Sequence, residues 1–330
     1  MLEERLAEQP FLLADGATGT NLFEMGLVSG EAPELWLESH PDRIMALHQS
    51  FVDAGADIIL TNSFGGNARR LMLHDLQSRA RELNRVAARL ALEVASKSSR
   101  PILVAGSVGP TGDLLAPLGP LTEAEAEEVF AEQITGLKEG GAHLAWIETM
   151  SAPEEMRAAA KAAARLEMPF TLTASFDTAG RTMMGLLPSA LASFAAALSP
   201  PPVALGANCG VGASDLVMSV LDIAARNETS VIIAKANAGV PQWKGAHIHY
   251  SGTPTVMADY ACLAYDAGAR IIGGCCGTSP AHLAAMRRAL DLHERGAPPT
   301  LETVIAKLGP LAQPRREEGA PGRRRERRRV

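Results

Sequence analysis

Aromatic residues are scarce in this chain: 8 Phe, 3 Tyr and 3 Trp make up 4% of its 330 residues. Proteins that hold single-stranded nucleic acid stack bases on aromatic faces, so this scarcity disfavours that class. Cysteine is scarcer still, at four residues, too few for a disulfide scaffold. The N-terminus, Met1-Leu-Glu-Glu-Arg, lacks the basic-then-apolar order of a secretory leader. A reducing, cytoplasmic location is the resulting expectation. An unbroken membrane span is also missing. From Thr182 to Ser214 there is no charged residue or His, which is long enough to cross a bilayer. However, Pro200-Pro201-Pro202 divides the stretch and Ser, Gly and Asn dilute it. It reads as a buried helix, a turn and a buried strand.

Positive charge is outnumbered over most of the chain and crowded at its end. Residues 313–330 hold eight Arg against three Glu, a surplus of five, while the net charge is −6. The other 312 residues are therefore eleven charges negative, which offers no footprint for a phosphate backbone. The tail has almost nothing apolar to bury and is expected to be disordered. It reads as a solvated extension, with contact to RNA, an acidic partner or a membrane surface as the rival role.

Hydrophobic residues reach 47%, with 30 Gly and 21 Pro, the balance of a globular chain with a core and many turns. Nearly continuous apolar runs occur at Phe11–Ala14, Ile58–Thr61, Ile102–Ala105, Leu144–Ile147, Phe170–Ala174, Val203–Gly206, Val231–Ala234 and Arg270–Ile272. Such runs are typical of strands buried on both faces of a parallel sheet. Amphipathic helical patterns separate them, at 41–54, 77–97, 189–198, 213–227, 254–267 and 281–294. Thr122-Glu-Ala-Glu125 reads as a capping box opening a helix to Glu139, and Ser151-Ala-Pro-Glu154 as a second box. Eight strands alternating with helices predict an α/β fold, a (β/α)8 TIM barrel. An open doubly wound sheet is the runner-up, but no dinucleotide-binding fingerprint is present. One domain is expected over 1–296, followed by an extension at 297–312 and the Arg-rich tail at 313–330.

In a parallel barrel the C-terminal strand ends share one face, where active sites are built. Here those ends carry Asp15-Gly16, Thr61-Asn62-Ser63-Phe64, Glu148-Thr149, Asn208-Cys209, Lys235-Ala-Asn237 and Cys275-Cys276. Three thiols on two nearby strands, with one position left open, suit a catalytic Zn²⁺. Buried Cys also serve as small hydrophobes, and Cys262, within a helical pattern, is read that way. His247-x-His249 is a rival ligand pair that reads more readily as a surface loop. Asp15 and Glu148 are placed to grip a small cation such as an amino group. The backbone N–H groups from Gly16 onward could accept a carboxylate or a phosphate.

Four segments together, Asp15-Gly-Ala-Thr-Gly-Thr, Ala56-Asp-Ile-Ile-Leu-Thr-Asn-Ser-Phe64, Gly206-Ala-Asn-Cys-Gly210 and Gly273-Gly-Cys-Cys-Gly-Thr278, resemble the homocysteine S-methyltransferase family. That family includes betaine–homocysteine methyltransferase, S-methylmethionine-using enzymes and the homocysteine-binding module of cobalamin-dependent methionine synthase. The resemblance runs over about residues 10–292. It implies a zinc-bearing barrel that transfers a methyl group to homocysteine, giving methionine. Carried onto this sequence, it makes Cys209, Cys275 and Cys276 the zinc ligands. Asp15 and Glu148 become holders of the homocysteine amine. Asn208, Thr61, Asn62 and Ser63 become pocket residues, and Asn237 a ligand in the substrate-free form; Gly16 joins the substrate-binding set through the backbone N–H groups of Gly16–Gly19.

The resemblance leaves the methyl donor open. Aromatic faces bind quaternary ammonium, and Phe23, Trp36, Phe64, Trp243 and Tyr250 are the candidate donor-pocket residues. The animal betaine enzymes have a Phe-Tyr pair where this chain reads Phe64-Gly65, and an aromatic where it has Thr149. Betaine or a related onium compound is nevertheless placed first. A methylcobalamin donor on a separate corrinoid partner protein is the alternative, favoured by the Thr-Asn-Ser-Phe and Lys-Ala-Asn-Ala-Gly-Val-Pro segments. Two further alternatives are a barrel lyase with Lys235 as a Schiff base and a non-catalytic zinc- or thiol-binding protein. No nucleic-acid or membrane partner is expected, and an oligomer is possible.

Overall fold

The computed structural model describes residues 2–227, 230–239, 241–244 and 247–312, with 241–244 and 247–249 as backbone alone. The Arg-rich tail, the side chain of Trp243 and the side chains of His247 and His249 lie outside the described residues. Seven strands come first: β1 Leu12–Leu13, β2 Ile58–Leu60, β3 Leu103–Val108, β4 Leu144–Met150, β5 Phe170–Ala174, β6 Ala204–Cys209 and β7 Val231–Ala236. A hairpin of β8 Pro241–Lys244 and β9 His247–Tyr250 follows, and then β10 Ala269–Gly274, the eighth barrel strand. The barrel order is β1-β10-β7-β6-β5-β4-β3-β2, every neighbour parallel. The two edges also meet. Ala14 bridges Ile58, the Asp57 N–H donates to the Leu13 carbonyl at 2.7 Å and the Asp15 N–H to the Ile58 carbonyl at 2.9 Å. The expected (β/α)8 barrel is the observed fold, and among the described residues no helix is long and apolar enough to cross a membrane.

Two apolar layers hold it. Inside the ring, Leu12, Ile58, Leu60, Leu144, Ile233 and Ile271 pack around the fully buried Trp146, a bulky filler for the barrel centre. Outside, Ala-rich helices lie against the strands. The helices Ala80–Lys97 and Glu123–Glu139 approach closely because Gly136 carries no side chain: a Cβ there would stand 2.3 Å from the Arg81 carbonyl oxygen. At the N-terminal end of the barrel, the buried Asp57 carboxylate accepts from the Leu13 N–H at 2.9 Å, from Arg100 at 3.2 Å and from Arg287 at 3.0 Å. That cluster ties β1 to the chain before β3 and to the helix Pro280–Leu292.

The strands outrun the apolar runs that announce them. Ser107 pairs with Trp146 and Cys209 with Ala236, so polar rim residues read as loop are ladder members. A further register effect follows. Asn208 lies opposite Lys235, and Lys235 opposite Gly273, so two adjacent strands present site residues at one level, beside the glycine that precedes the lining of β10. The Thr122 capping box forms as expected. The Ser151 box does not: Ala152 is the N-cap and makes no side-chain bond, and Pro153 with its fixed φ opens the helix instead. The segment around His247 and His249 forms a hairpin strand, not an open loop. Beyond residue 296, the helix Leu301–Leu308 buries Val304, and Ser214 Oγ donates to the Gly309 carbonyl at 2.9 Å.

Burial, against a smaller pull from Asp15, lowers His48 from 6.5 to about 4, and its Nε2 has no hydrogen-bond partner. As pH falls through this window the unfolded chain takes up the proton first. Stability from this residue is therefore fully present above about 6.5 and drains away down to about 4, by roughly 3 kcal/mol. Urea denaturation should show wild type losing about that much more than His48→Leu between about pH 7 and about pH 4. Equal losses in the two proteins would contradict this account of His48.

Candidate metal centre and active site

β6 ends at Cys209, which adopts a left-handed backbone conformation with φ 61°. A non-glycine residue there is strained, and here the strain holds the side chain at the barrel mouth. Cys275 and Cys276 follow β10 and are tied to the end of β7 and the residues just after it. The Cys275 N–H donates to the Ala236 carbonyl at 2.7 Å, and the Ala238 N–H to the Cys276 carbonyl at 2.9 Å. The three Sγ atoms lie within 4.8 Å of one another. At Gly277, φ is +77° and a Cβ would stand 2.2 Å from the Tyr250 ring, so only glycine lets that ring close over Cys276.

The thiols oppose one another's ionisation. A hydrogen bond with Cys275 favours the Cys209 thiolate, but the bond with Cys276 and burial outweigh it and push Cys209 up to about 12. A bond with Cys209 likewise favours the Cys276 thiolate. The hydrogen bond and charge of Cys275, with burial, nonetheless push Cys276 up to about 12. Cys275 is raised well above the ordinary thiol range, first by its bond with Cys209. Three such sulfurs become anionic together only beside a compensating cation. Soft sulfur donors in a set of three fit zinc with a fourth position open. Polar groups already face the sulfurs: Asn208 Nδ2 lies 3.9 Å from Cys275 Sγ, Asn237 Nδ2 lies 3.6 Å from Cys209 Sγ and Tyr250 hydrogen-bonds to Cys276.

The resemblance makes Asn237 a metal ligand in the substrate-free form. Its Oδ1 accepts from the Cys276 N–H at 3.0 Å, and its Nδ2 also donates to the Gly210 carbonyl at 2.8 Å. In this arrangement it braces the cysteines. Asn208, expected as a pocket wall, sits behind the cavity, 1% exposed. Its Oδ1 accepts from the Thr149 N–H at 2.8 Å and Thr173 Oγ1 at 2.7 Å, and its Nδ2 donates to Thr149 Oγ1 at 2.7 Å and faces Glu148 Oε2 at 3.4 Å.

The cavity beside the thiols measures about 500 Å³ and is bounded by Cys209, Cys275, Cys276, Glu148, Lys235 and the Thr61–Ser63 turn, with Gly16 at its wall. Burial raises the Glu148 carboxyl above the ordinary range, against the opposing pulls of Lys235 and Ser107. Ser107 Oγ donates to Glu148 Oε1 at 2.6 Å. Asp15 lies deeper. Its Oδ2 accepts from the Leu60 N–H at 2.7 Å and its Oδ1 from Lys235 Nζ at 2.7 Å, with both side chains 2% exposed. Burial alone would lower Lys235, but Asp15 and Glu148 hold it above the ordinary lysine range. Within the turn, Thr61 Oγ1 and Ser63 Oγ are 2.6 Å apart and Asn62 Nδ2 donates to the Pro33 carbonyl at 2.8 Å.

The aromatic cage is not assembled among the described side chains. Phe64 lines the cavity, but Trp36 is buried in the outer core beneath Arg43 and against His40. Phe23 is half exposed on a short helix away from the lining, and Tyr250 covers Cys276. Several lining residues escaped the sequence reading. Glu34, whose Oε1 accepts from the Gly65 N–H at 2.8 Å, and Arg70 come from short helices with weak periodicity. Burial keeps the Glu34 carboxyl above its ordinary range. Ser107 belongs to the Gly106–Gly112 end of the third apolar run, which carries no assigned role in the sequence, and the strand continues through it. The Asp15–Lys235 pair joins residues 220 apart in sequence, beyond the reach of any spacing argument.

A family model described as homocysteine S-methyltransferase matches residues 12–290. Methionine synthase of Mycobacterium tuberculosis is 28% identical over 292 residues, covering 83% of this chain and 24% of that protein. Methionine synthase of Mycobacterium leprae is 27% identical over 321 residues, covering 92% and 26%. The chain thus spans about a quarter of the length of these relatives. The crystal structure of the homocysteine methyltransferase MmuM from Escherichia coli, metallated form, superposes with a TM-score of 0.71 at 25% identity, covering 87% of this chain and 99% of that one. Its apo form, at 22% identity and a TM-score of 0.66, shows the likeness of fold.

Asn208 satisfies four polar groups at once, so Asn208→Leu should strand Glu148, Thr149 and Thr173 and cost about 2–4 kcal/mol in a denaturant titration. A loss below about 0.5 kcal/mol would contradict the bracing role.

Proposed function

The chain belongs to the homocysteine S-methyltransferase family, and from that premise we propose that it is a zinc-dependent enzyme. In this reading it moves a methyl group from a small onium donor, betaine or a related compound, to the sulfur of homocysteine, giving methionine. The observation that carries the reading is the meeting of three thiols, within 4.8 Å of one another, at the wall of a cavity that also holds a buried carboxylate. Cys209, Cys275 and Cys276 would hold the metal. Bound there, zinc supplies the positive charge that lets a substrate thiol lose its proton near neutral pH.

The chain's own residues do the rest. Glu148, oriented by Ser107 and Asn208, receives the ammonium of homocysteine, and Asp15 acts from behind it through Lys235. Gly16, Thr61, Asn62 and Ser63 form the wall against which the substrate rests. Asn237 and Tyr250 hold the cysteines in place, and fixed positions for reacting groups lower a transfer barrier. On the donor side, the Phe64 face favours a cationic centre. No general base would be needed in the transfer itself, because the thiol would release its proton to solvent on binding and the onium donor would leave as the neutral amine or sulfide.

A second reading is favoured by the methionine synthase relatives: a methyl group presented by a corrinoid on a partner protein. The exposed side chains Phe23, Phe64, Leu73 and Leu114 stand on segments that follow β1, β2 and β3, an apolar rim on which such a partner could rest. The Schiff-base reading loses ground, because Lys235 is held as an ammonium between two carboxylates and an ammonium is no nucleophile. The zinc- or thiol-binding reading would give thiol binding with no turnover.

Purified zinc-loaded protein should make methionine from homocysteine and at least one of betaine, a dimethylsulfonium compound or S-methylmethionine, and Cys276→Ala should abolish it. Methionine from methylcobalamin alone would transfer the reading to the corrinoid partner, and methionine from no donor would sink both.

A further inference from the structure

We infer that Lys235 binds the α-carboxylate of the thiol substrate and so makes the site selective for amino-acid thiols over simple aminothiols. The inference rests on the homocysteine reading above and deepens it. An ammonium carries three N–H donors. One of those of Lys235 goes to Asp15 Oδ1 at 2.7 Å, and the Trp146 ring centroid lies 5.7 Å from Nζ. The side chain is 2% exposed, yet it borders the cavity together with Glu148 and Cys209. A buried ammonium with donors left over beside a cavity is costly to leave unpaired.

The charges fit a zwitterion. Lys235 neutralises Asp15, which lies too deep to border the cavity, and Glu148 remains as the carboxylate that faces it. An amino acid brings one ammonium and one carboxylate. Set between Glu148 and Lys235, its α-carbon would satisfy both, with its side-chain sulfur reaching toward Cys209 and Cys275. A thiol with the amine but no carboxylate would leave the Lys235 donors unmet. Sites built to hydrogen-bond a substrate group reject the analogue that lacks it for this reason.

The test compares homocysteine with 3-aminopropane-1-thiol, which keeps the thiol and the amine and lacks only the carboxylate. Isothermal titration calorimetry on the zinc-loaded full chain reads the ratio of the two dissociation constants. Wild type should favour homocysteine roughly ten- to a hundredfold, the range of a charge-assisted hydrogen bond, and in Lys235→Met the ratio should fall toward one. Because that variant leaves Asp15 buried and unpaired, the double variant Asp15→Asn/Lys235→Met is measured beside it. Any general loss of fold or metal weakens both thiols and cancels in the ratio. A homocysteine preference that survives in both variants, or one absent from wild type, overturns the assignment alone. A wild-type protein that takes up neither thiol overturns the homocysteine reading and the assignment with it.

Discussion

Three sulfur atoms held within 4.8 Å of one another in half-buried positions repel one another as soon as more than one is ionised. Hydrogen bonds between them can stabilise one anion but not three, which is why Cys209 and Cys276 are driven to about 12. A divalent cation removes that conflict, since its attraction grows as the thiolates form. Much of the barrel's mouth serves this convergence. Cys209 accepts a left-handed backbone, Gly277 gives way to the Tyr250 ring, and two asparagines face the sulfurs.

A second constraint lies beneath the sulfurs. Asp15, Lys235 and Glu148 bring two carboxyl groups and one ammonium into a region nearly closed to solvent. Buried ions persist only where each has a partner and hydrogen bonds. Asp15 meets this with the Leu60 N–H and Lys235, and Glu148 with Ser107 and Asn208. The register of β6, β7 and β10 fixes who meets whom, because Asn208, Lys235 and Gly273 stand side by side. A slip of one residue would turn Lys235 toward the outer helices, so the closure of the barrel and the chemistry of its mouth depend on the same ladder.

Much of this could be read from the chain alone, and the parts that could not have identifiable causes. Continuous apolar runs revealed the eight strands because parallel barrel strands are buried on both faces. The convergence of Cys209 with Cys275-Cys276 followed from strand order. Strand ends were cut short, since polar side chains at the rim break the apolar signal while the backbone ladder continues through Ser107 and Cys209. Trp36 and Phe23 went astray because composition cannot tell a packing aromatic from a lining one. The former lies beneath Arg43 and the latter faces outward. Asp15 was read as a substrate residue with no sign that Lys235 would meet it first, because that pairing depends on depth in the barrel.

The claim that everything else depends on concerns the atoms around the metal, and X-ray absorption at the zinc edge reads them directly. Zinc-loaded protein should give a first shell of three sulfurs near 2.3 Å with one lighter atom, becoming four sulfurs when homocysteine is added. A shell dominated by nitrogen and oxygen, or one unchanged by homocysteine, would contradict the account.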